Sequence, residues 1–104
     1  METTYGHHIG PVTGEVNGVK MYKFSATLSP AQVNANTTAE QLFTVTGVAV
    51  GDIVFVNKPT AQAGLGIVGV RVSAANQVGI TFSNNTGVGI TPTASQVYAF
   101  GVLR

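Results

Sequence analysis

Polar and apolar residues alternate with a period of two in several short runs of this chain, the spacing that puts one face of a β-strand against a core. In Val19–Thr27 (VKMYKFSAT), Val19, Met21, Lys23 and Ser25 share one face, and Lys20, Tyr22, Phe24 and Ala26 the other. The two lysines predict a position near a sheet edge. Glu40–Thr46 alternates as well, with Phe43 and Val45 set against Leu42, Thr44 and Thr46. After a turn punctuated by glycines, Asp52–Val56 follows, and Ile53-Val54-Phe55-Val56 is apolar on both faces, so both need cover. Further strands are predicted at Ile67–Ala74, with Val68, Val70 and Val72 on one face and Ile67, Gly69 and Arg71 on the other. Gln77–Ser83 follows, where Val78, Ile80 and Phe82 align, and then Gln96–Arg104, whose heavier face is Tyr98, Phe100 and Val102.

The segments between these runs are turn-forming. Ala75-Asn76 and Asn84-Asn85-Thr86-Gly87 predict tight turns, and Asn57-Lys58-Pro59 ends an apolar run where proline cannot donate to a ladder. Ser29 before Pro30 has the form of a helix start, but Asn34, Asn36, Thr37 and Thr38 are poor helix formers. Leu28–Thr38 is therefore expected to be a turn with a short extended segment through Val33 and Ala35. Val78-Gly79-Ile80-Thr81 recurs ten residues later as Val88-Gly89-Ile90-Thr91, which reads as neighbouring strands of a hairpin.

Residues 1–18 hold Gly6, Gly10, Pro11, Gly14 and Gly18 and no useful periodicity, which predicts an extended arm that docks through Tyr5, Ile9, Val12 and Val16. The fold class expected is all-β: an antiparallel β-sandwich or jelly-roll-like barrel with an extended N-terminal arm. Residues 1–25 would form the arm and first strand, and residues 26–104 the sandwich.

Composition sharpens the picture in one respect. Charged residues make up 9% of the 104-residue chain, against about 25% in ordinary domains. With 44% hydrophobic residues and a net charge of +1, the chain is expected to fold and to associate with itself. A domain of this size buries only roughly 65% of its unfolded surface. The second apolar face of Ile53–Val56 is therefore expected to be covered by another copy. Neither a nucleic-acid footprint nor a polybasic membrane signal is present, and cysteine is absent. METTYGHHIG lacks the basic and apolar regions of a signal peptide.

Candidate chemistry is sparse. His7 and His8 are adjacent, so on an extended arm they point to opposite sides and do not share a metal. Glu40 and Asp52 are the only carboxylates expected in the core, and Asp52, after Gly51, suits a side chain accepting backbone N–H groups. Ser25, Ser29, Ser73, Ser83 and Ser95 have no histidine in their own segment and no G-x-S-x-G elbow. Ala63-Gly64-Leu65-Gly66 lacks the GK[ST] ending of a phosphate loop and is expected to be a surface loop packed closely on a neighbour. Arg71 either caps a solvent face or pairs with Glu40 or Asp52 across a subunit contact. No catalytic residue, metal or cofactor is expected.

The segment Val33–Arg104 resembles a small β domain of tailed-phage structural proteins. The likeness is carried by NTTAEQLFTVTGV, Gly51-Asp52, VFVNKP, AGLGI, RVSAANQVGITFSN and SQVYAFGVLR. It implies a virion protein without enzymatic activity, of the capsid decoration (cement) type, acting as a homotrimer. The expected partners are further copies of itself and the major capsid protein, on the capsid surface after synthesis in the host cytoplasm; nucleic acid and membrane are not expected partners. The residues expected at the oligomer interface are Ile53, Phe55, Arg71, Tyr98 and Phe100, with Tyr5, Ile9, Val12 and Val16 on the capsid. A head or tail fibre or baseplate module binding a host surface is the alternative.

Overall fold

The computed structural model describes residues 13–16 and 18–104, which fold into seven antiparallel strands and no helix. The strands are β1 (Thr13–Val16), β2 (Val19–Leu28), β3 (Thr37–Thr44), β4 (Ile53–Asn57), β5 (Leu65–Ala74), β6 (Gln77–Asn84) and β7 (Gln96–Leu103). They form a four-stranded sheet of order β1-β2-β7-β4 and a three-stranded sheet of order β3-β6-β5. The sandwich expected from the alternation is what the chain adopts.

The core lies between the two inner faces. Tyr22, Phe24, Ala26 and Leu28 of β2, Tyr98, Phe100 and Val102 of β7, and Val54 and Val56 of β4 pack toward Phe43, Val78, Ile80, Phe82, Val70 and Val72. β6 is the central strand of its sheet and β7 lies between β2 and β4 along its length, and those two strands are the most deeply buried. Val78, Ile80 and Phe82 on β6, and Tyr98 and Phe100 on β7, expose no surface at all. Full burial of such side chains stabilises by about 1.5–3 kcal/mol each.

The chain passes between the sheets four times, at 29–36, 45–52, 58–64 and 85–95, and each crossing is fixed by side chains. In the first, Gln41 donates from Nε2 to the Ala31 carbonyl (2.9 Å) and accepts from the Ala31 N–H at 2.8 Å. In the second, the Asp52 carboxylate accepts from the Ala49 N–H (2.8 Å) and pairs with Arg104, whose guanidinium also donates to the Gly47 carbonyl and lies 4.6 Å from the Tyr22 ring centre. Gly47, at φ 109°, passes over the Phe24 ring, where a Cβ would come within 2.6 Å of it. In the fourth, buried Asn84 donates to the Val33 and Val88 carbonyls and accepts from the Thr86 N–H and hydroxyl.

Several details depart from the sequence reading. β1 is a strand, paired with β2 from Thr13↔Tyr22 to Val16↔Val19, so β2 lies near the edge as expected: one strand in as far as Tyr22 and the edge itself beyond it. Because β2 runs unbroken through residues 25 and 26, a boundary there would cut a strand, and residues 13–16 and 19–25 belong to the sheet. β3 and β4 are not hairpin partners but lie in different sheets. Val88–Thr91 is not a strand, because Asn84 and Thr86 hold its carbonyl groups in a loop and only Ile90 bridges, to Val33. A β-bulge between Ile67 and Gly69 shifts the alternation of β5, turning Val68 outward at 64% exposure while Ile67 joins Val70 and Val72 at the core.

Candidate interaction surface

The outer face of the four-stranded sheet is set by its register. Met21, Leu103 and Ile53 form one cross-strand row, Lys23, Gly101 and Phe55 the next, and Ser25, Ala99 and Asn57 the third, with Thr27 beside Val97 beyond. These positions alternate with the buried Tyr98, Phe100, Val102 and Val54, so they point away from the core by strand geometry. Ile53 is 60% exposed, Phe55 58% and Val97 57%. With Val19 at 41%, four large apolar side chains therefore stand in solvent on one face, with Lys23 its one charged residue among the described residues. Above Gly101 is a hollow of about 330 Å³ bordered by Lys23, Phe55, Asn57 and Ala99.

The outer face of the three-stranded sheet is different in kind. Thr38, Glu40 and Thr44 of β3 lie beside Thr81 and Ser83 of β6 and Arg71 of β5, with Leu42 and the bulged Val68 as apolar exceptions. Arg71 donates from Nε and Nη2 to the two Glu40 oxygens at 2.7 and 2.9 Å, spanning the central strand. Gly79 lies beneath, where a Cβ would run into the Glu40 carboxylate. This pair is solvated, and an ion pair in that setting contributes little to stability.

A second hollow, of about 250 Å³, opens between the edges of β4 and β5 and is lined by Asn57, Lys58, Gln62, Leu65 and Ile67, with Phe82 at its base. Lys58 donates to the Thr60 carbonyl at 2.6 Å, and partial burial pulls its ammonium below the usual lysine range.

Acid–base groups are paired rather than poised. The Arg71 hydrogen bond holds the Glu40 carboxyl below its usual range, and the Arg104 hydrogen bond does the same for Asp52, whose side chain is only 3% exposed. Both arginines are raised in turn by their carboxylates. Burial raises the Tyr98 phenol, whose hydroxyl has no hydrogen-bond partner among the described residues. Also among the described residues, no three histidine, cysteine or carboxylate side chains gather, and there is no helix long and apolar enough to cross a membrane.

The expected interface residues fall into three groups. Ile53 and Phe55 are together on the open apolar face. Tyr98 and Phe100 are not available to a partner, since the three-stranded sheet already covers them; their strand is the same, but its other face is the exposed one. Arg71 pairs with Glu40 of its own chain because β6 brings β3 and β5 into one register, which corrects the intersubunit pairing. Tyr5, Ile9 and Val12 lie outside the described residues, and Val16 ends β1 opposite Val19. Glu40 lies on an outer face, not in the core, whereas Asp52 takes the N–H-accepting role its position suggested. The AGLG loop packs on the 84–87 turn of its own chain, with Asn85 N–H donating to Gly64 O at 3.1 Å.

Val97, Met21, Leu103, Ala99 and Gly101 were missed as surface residues. The signal was present in the complement of the Tyr98/Phe100/Val102 alternation, once β7 is known to be central. Comparison with family models, with curated proteins and with solved structures gives no match to this chain.

Proposed function

We propose that this chain is a structural, non-enzymatic protein of a tailed-phage particle, a capsid decoration protein that works as a homo-oligomer on the capsid surface. The observation that carries the self-association is the outer face of the four-stranded sheet, where Ile53, Phe55 and Val97 stand exposed around one lysine. Apolar area of this kind contributes about 25 cal/mol per Å² when buried, before the costs of association. The capsid role rests on the likeness of Val33–Arg104 to phage structural domains. The carboxylates Glu40 and Asp52 are both spent on arginines, which fits a protein that holds others together rather than one that turns over a substrate.

The mechanism is summation. A decoration protein need contribute only a few kcal/mol per copy, because linked contacts act at high effective concentration. Residues 13–16 and 19–25 are strand residues of the sheet and do not serve as an arm reaching over neighbouring capsid proteins. The test is sedimentation of the purified protein at micromolar concentration, alone and with emptied phage capsids. An oligomer that pellets with capsids is expected; a monomer that stays in the supernatant overturns the reading. An oligomer that ignores capsids and binds host cells instead would identify a fibre or baseplate module.

A further inference from the structure

We infer that strand β7 lies on the contact between two copies, next to a two-fold axis, with the outer surface at Ala99 and Gly101 of one copy against the same surface of the other. This rests on the self-association proposed above and adds which strand and which residues meet.

Gly101 is the first reason. It lies in the interior of a strand paired on both sides, opposite Lys23 and Phe55. Its φ is not positive, and a Cβ built on it would meet only Phe55 Cδ2, at an ordinary 3.8 Å. Nothing inside the chain requires glycine there, although glycine in a strand costs roughly 0.5–1 kcal/mol relative to alanine. Gly79, the central-strand glycine of the other sheet, does have an internal reason, because Glu40 fills the space above it. Glycine in a strand interior marks a bulge, a bend or a close approach from outside, and the register of β7 is unbroken against both neighbours at Gly101, which leaves the approach.

The surroundings of Gly101 say what approaches. A rotation axis brings residues against their own copies, so the residues nearest it must be small or mutually compatible. β7 presents Ala99 and Gly101 at its middle, whereas β2 presents Lys23 and β4 presents Phe55. An axis along β7 leaves the two lysines apart. It also lets Phe55, Ile53 and Val97 close around the small centre, with the hollow above Gly101 receiving side chains of the other copy. Lys23 need not be buried, because β1 covers β2 only as far as Tyr22, and at that open corner its stem can lie on the face while its ammonium stays in water.

Area is consistent with a second copy as the occupant. At about 16 Å² per strand residue, the four strands offer a flat face of roughly 440 Å² per copy before side-chain relief is added. Two such faces approach the roughly 1,000 Å² at which specific interfaces begin.

The test uses the absence of cysteine from the chain. Ala99→Cys is treated with a short bis-maleimide beside Val88→Cys, which places a thiol on an exposed loop. Packed sheet faces stand about 10 Å apart, so across an axis at β7 the two Ala99→Cys thiols fall within reach of the reagent, and interchain cross-links are expected in most molecules while Val88→Cys gives few. Gly101→Gln, folded by its circular dichroism melt, is expected to run as a monomer. An unsubstituted protein that is oligomeric, with Ala99→Cys uncrosslinked and Gly101→Gln unchanged in mass, overturns the placement at β7 and leaves self-association standing. An unsubstituted monomer at micromolar concentration overturns both.

Discussion

Asn84 offers the sharpest test of how the sandwich is held together. Its side chain is 1% exposed and spends all of its polar capacity on two crossings, 29–36 and 85–95. Nδ2 donates to the Val33 carbonyl at 3.0 Å and the Val88 carbonyl at 2.7 Å, while Oδ1 accepts from the Thr86 N–H at 2.9 Å and its hydroxyl at 2.7 Å. In Asn84→Ala both carbonyls keep another donor, since Ile90 N–H reaches Val33 O and the Thr86 hydroxyl reaches Val88 O. The Thr86 N–H loses its partner, and a small void opens beside Phe82. At about 1 kcal/mol net per buried hydrogen bond, with some compensation, the expected loss is about 2–3 kcal/mol. For a domain of this size that lowers the melting temperature by roughly 10–20 °C. Asn84→Asp tests the cause. It keeps the acceptor but aims a buried carboxylate at two carbonyl oxygens, so its folded-state pKa must rise. It should be worse than Asn84→Ala at pH 7 and recover as pH falls, because only the protonated acid can donate. Thermal melts by circular dichroism at pH 7 and pH 5 measure both. A loss under about 0.5 kcal/mol for Asn84→Ala, or an Asn84→Asp melt that ignores pH, would refute the reasoning.

Three further outcomes follow from the same structure. The folded-state pKa of Asp52 is depressed by Arg104, so its stabilisation is complete above the ordinary value of 3.8 and is lost as pH falls through the lower folded value. Urea melts should show a steep acid limb below about pH 4 that flattens in Arg104→Gln. Gly47→Ala combines a positive φ with a collision against Phe24 and should cost about 2 kcal/mol or more, read by the same melts. Tyr98→Phe removes a buried hydroxyl that has no partner among the described residues, so stability should hold or rise by up to about 1 kcal/mol; a loss of that size would mean the hydroxyl is hydrogen-bonded.

Much of the fold was legible because the two central strands have unambiguous patterns. Val78/Ile80/Phe82 and Tyr98/Phe100/Val102 alternate cleanly, and each lies between two neighbours over the core. What failed to show was whatever depends on register between distant segments. Arg71 and Glu40 are 31 residues apart, and only the placement of β6 between β3 and β5 makes them partners within one chain. Arg104 and Asp52 are 52 apart and meet because β7 and β4 run side by side. The bulge at Ile67–Gly69 reversed the orientation of Val68, and no residue in that run announces a bulge more strongly than Gly69 does. The repeated Val-Gly-Ile-Thr shows how context overrides composition. The first copy lies in a central strand, and the second is held in a loop by Asn84 and followed by buried Pro92. The candidate surface was half legible. Ile53 and Phe55 stood out as apolar residues without cover, but the heavy side chains of β7 drew notice to its buried face and away from the exposed one.

The central claim is that the outer face of the four-stranded sheet joins copies of this chain. Sedimentation equilibrium of the unsubstituted protein and of Ile53→Lys/Phe55→Lys, both at micromolar concentration, tests it most directly. Ile53 and Phe55 are more than half exposed in the single chain, so the double variant should keep its fold and its melting temperature. The account predicts a multiple of the chain mass for the unsubstituted protein and a single chain mass for the variant. An unsubstituted monomer, or a variant that keeps the oligomeric mass, would contradict it.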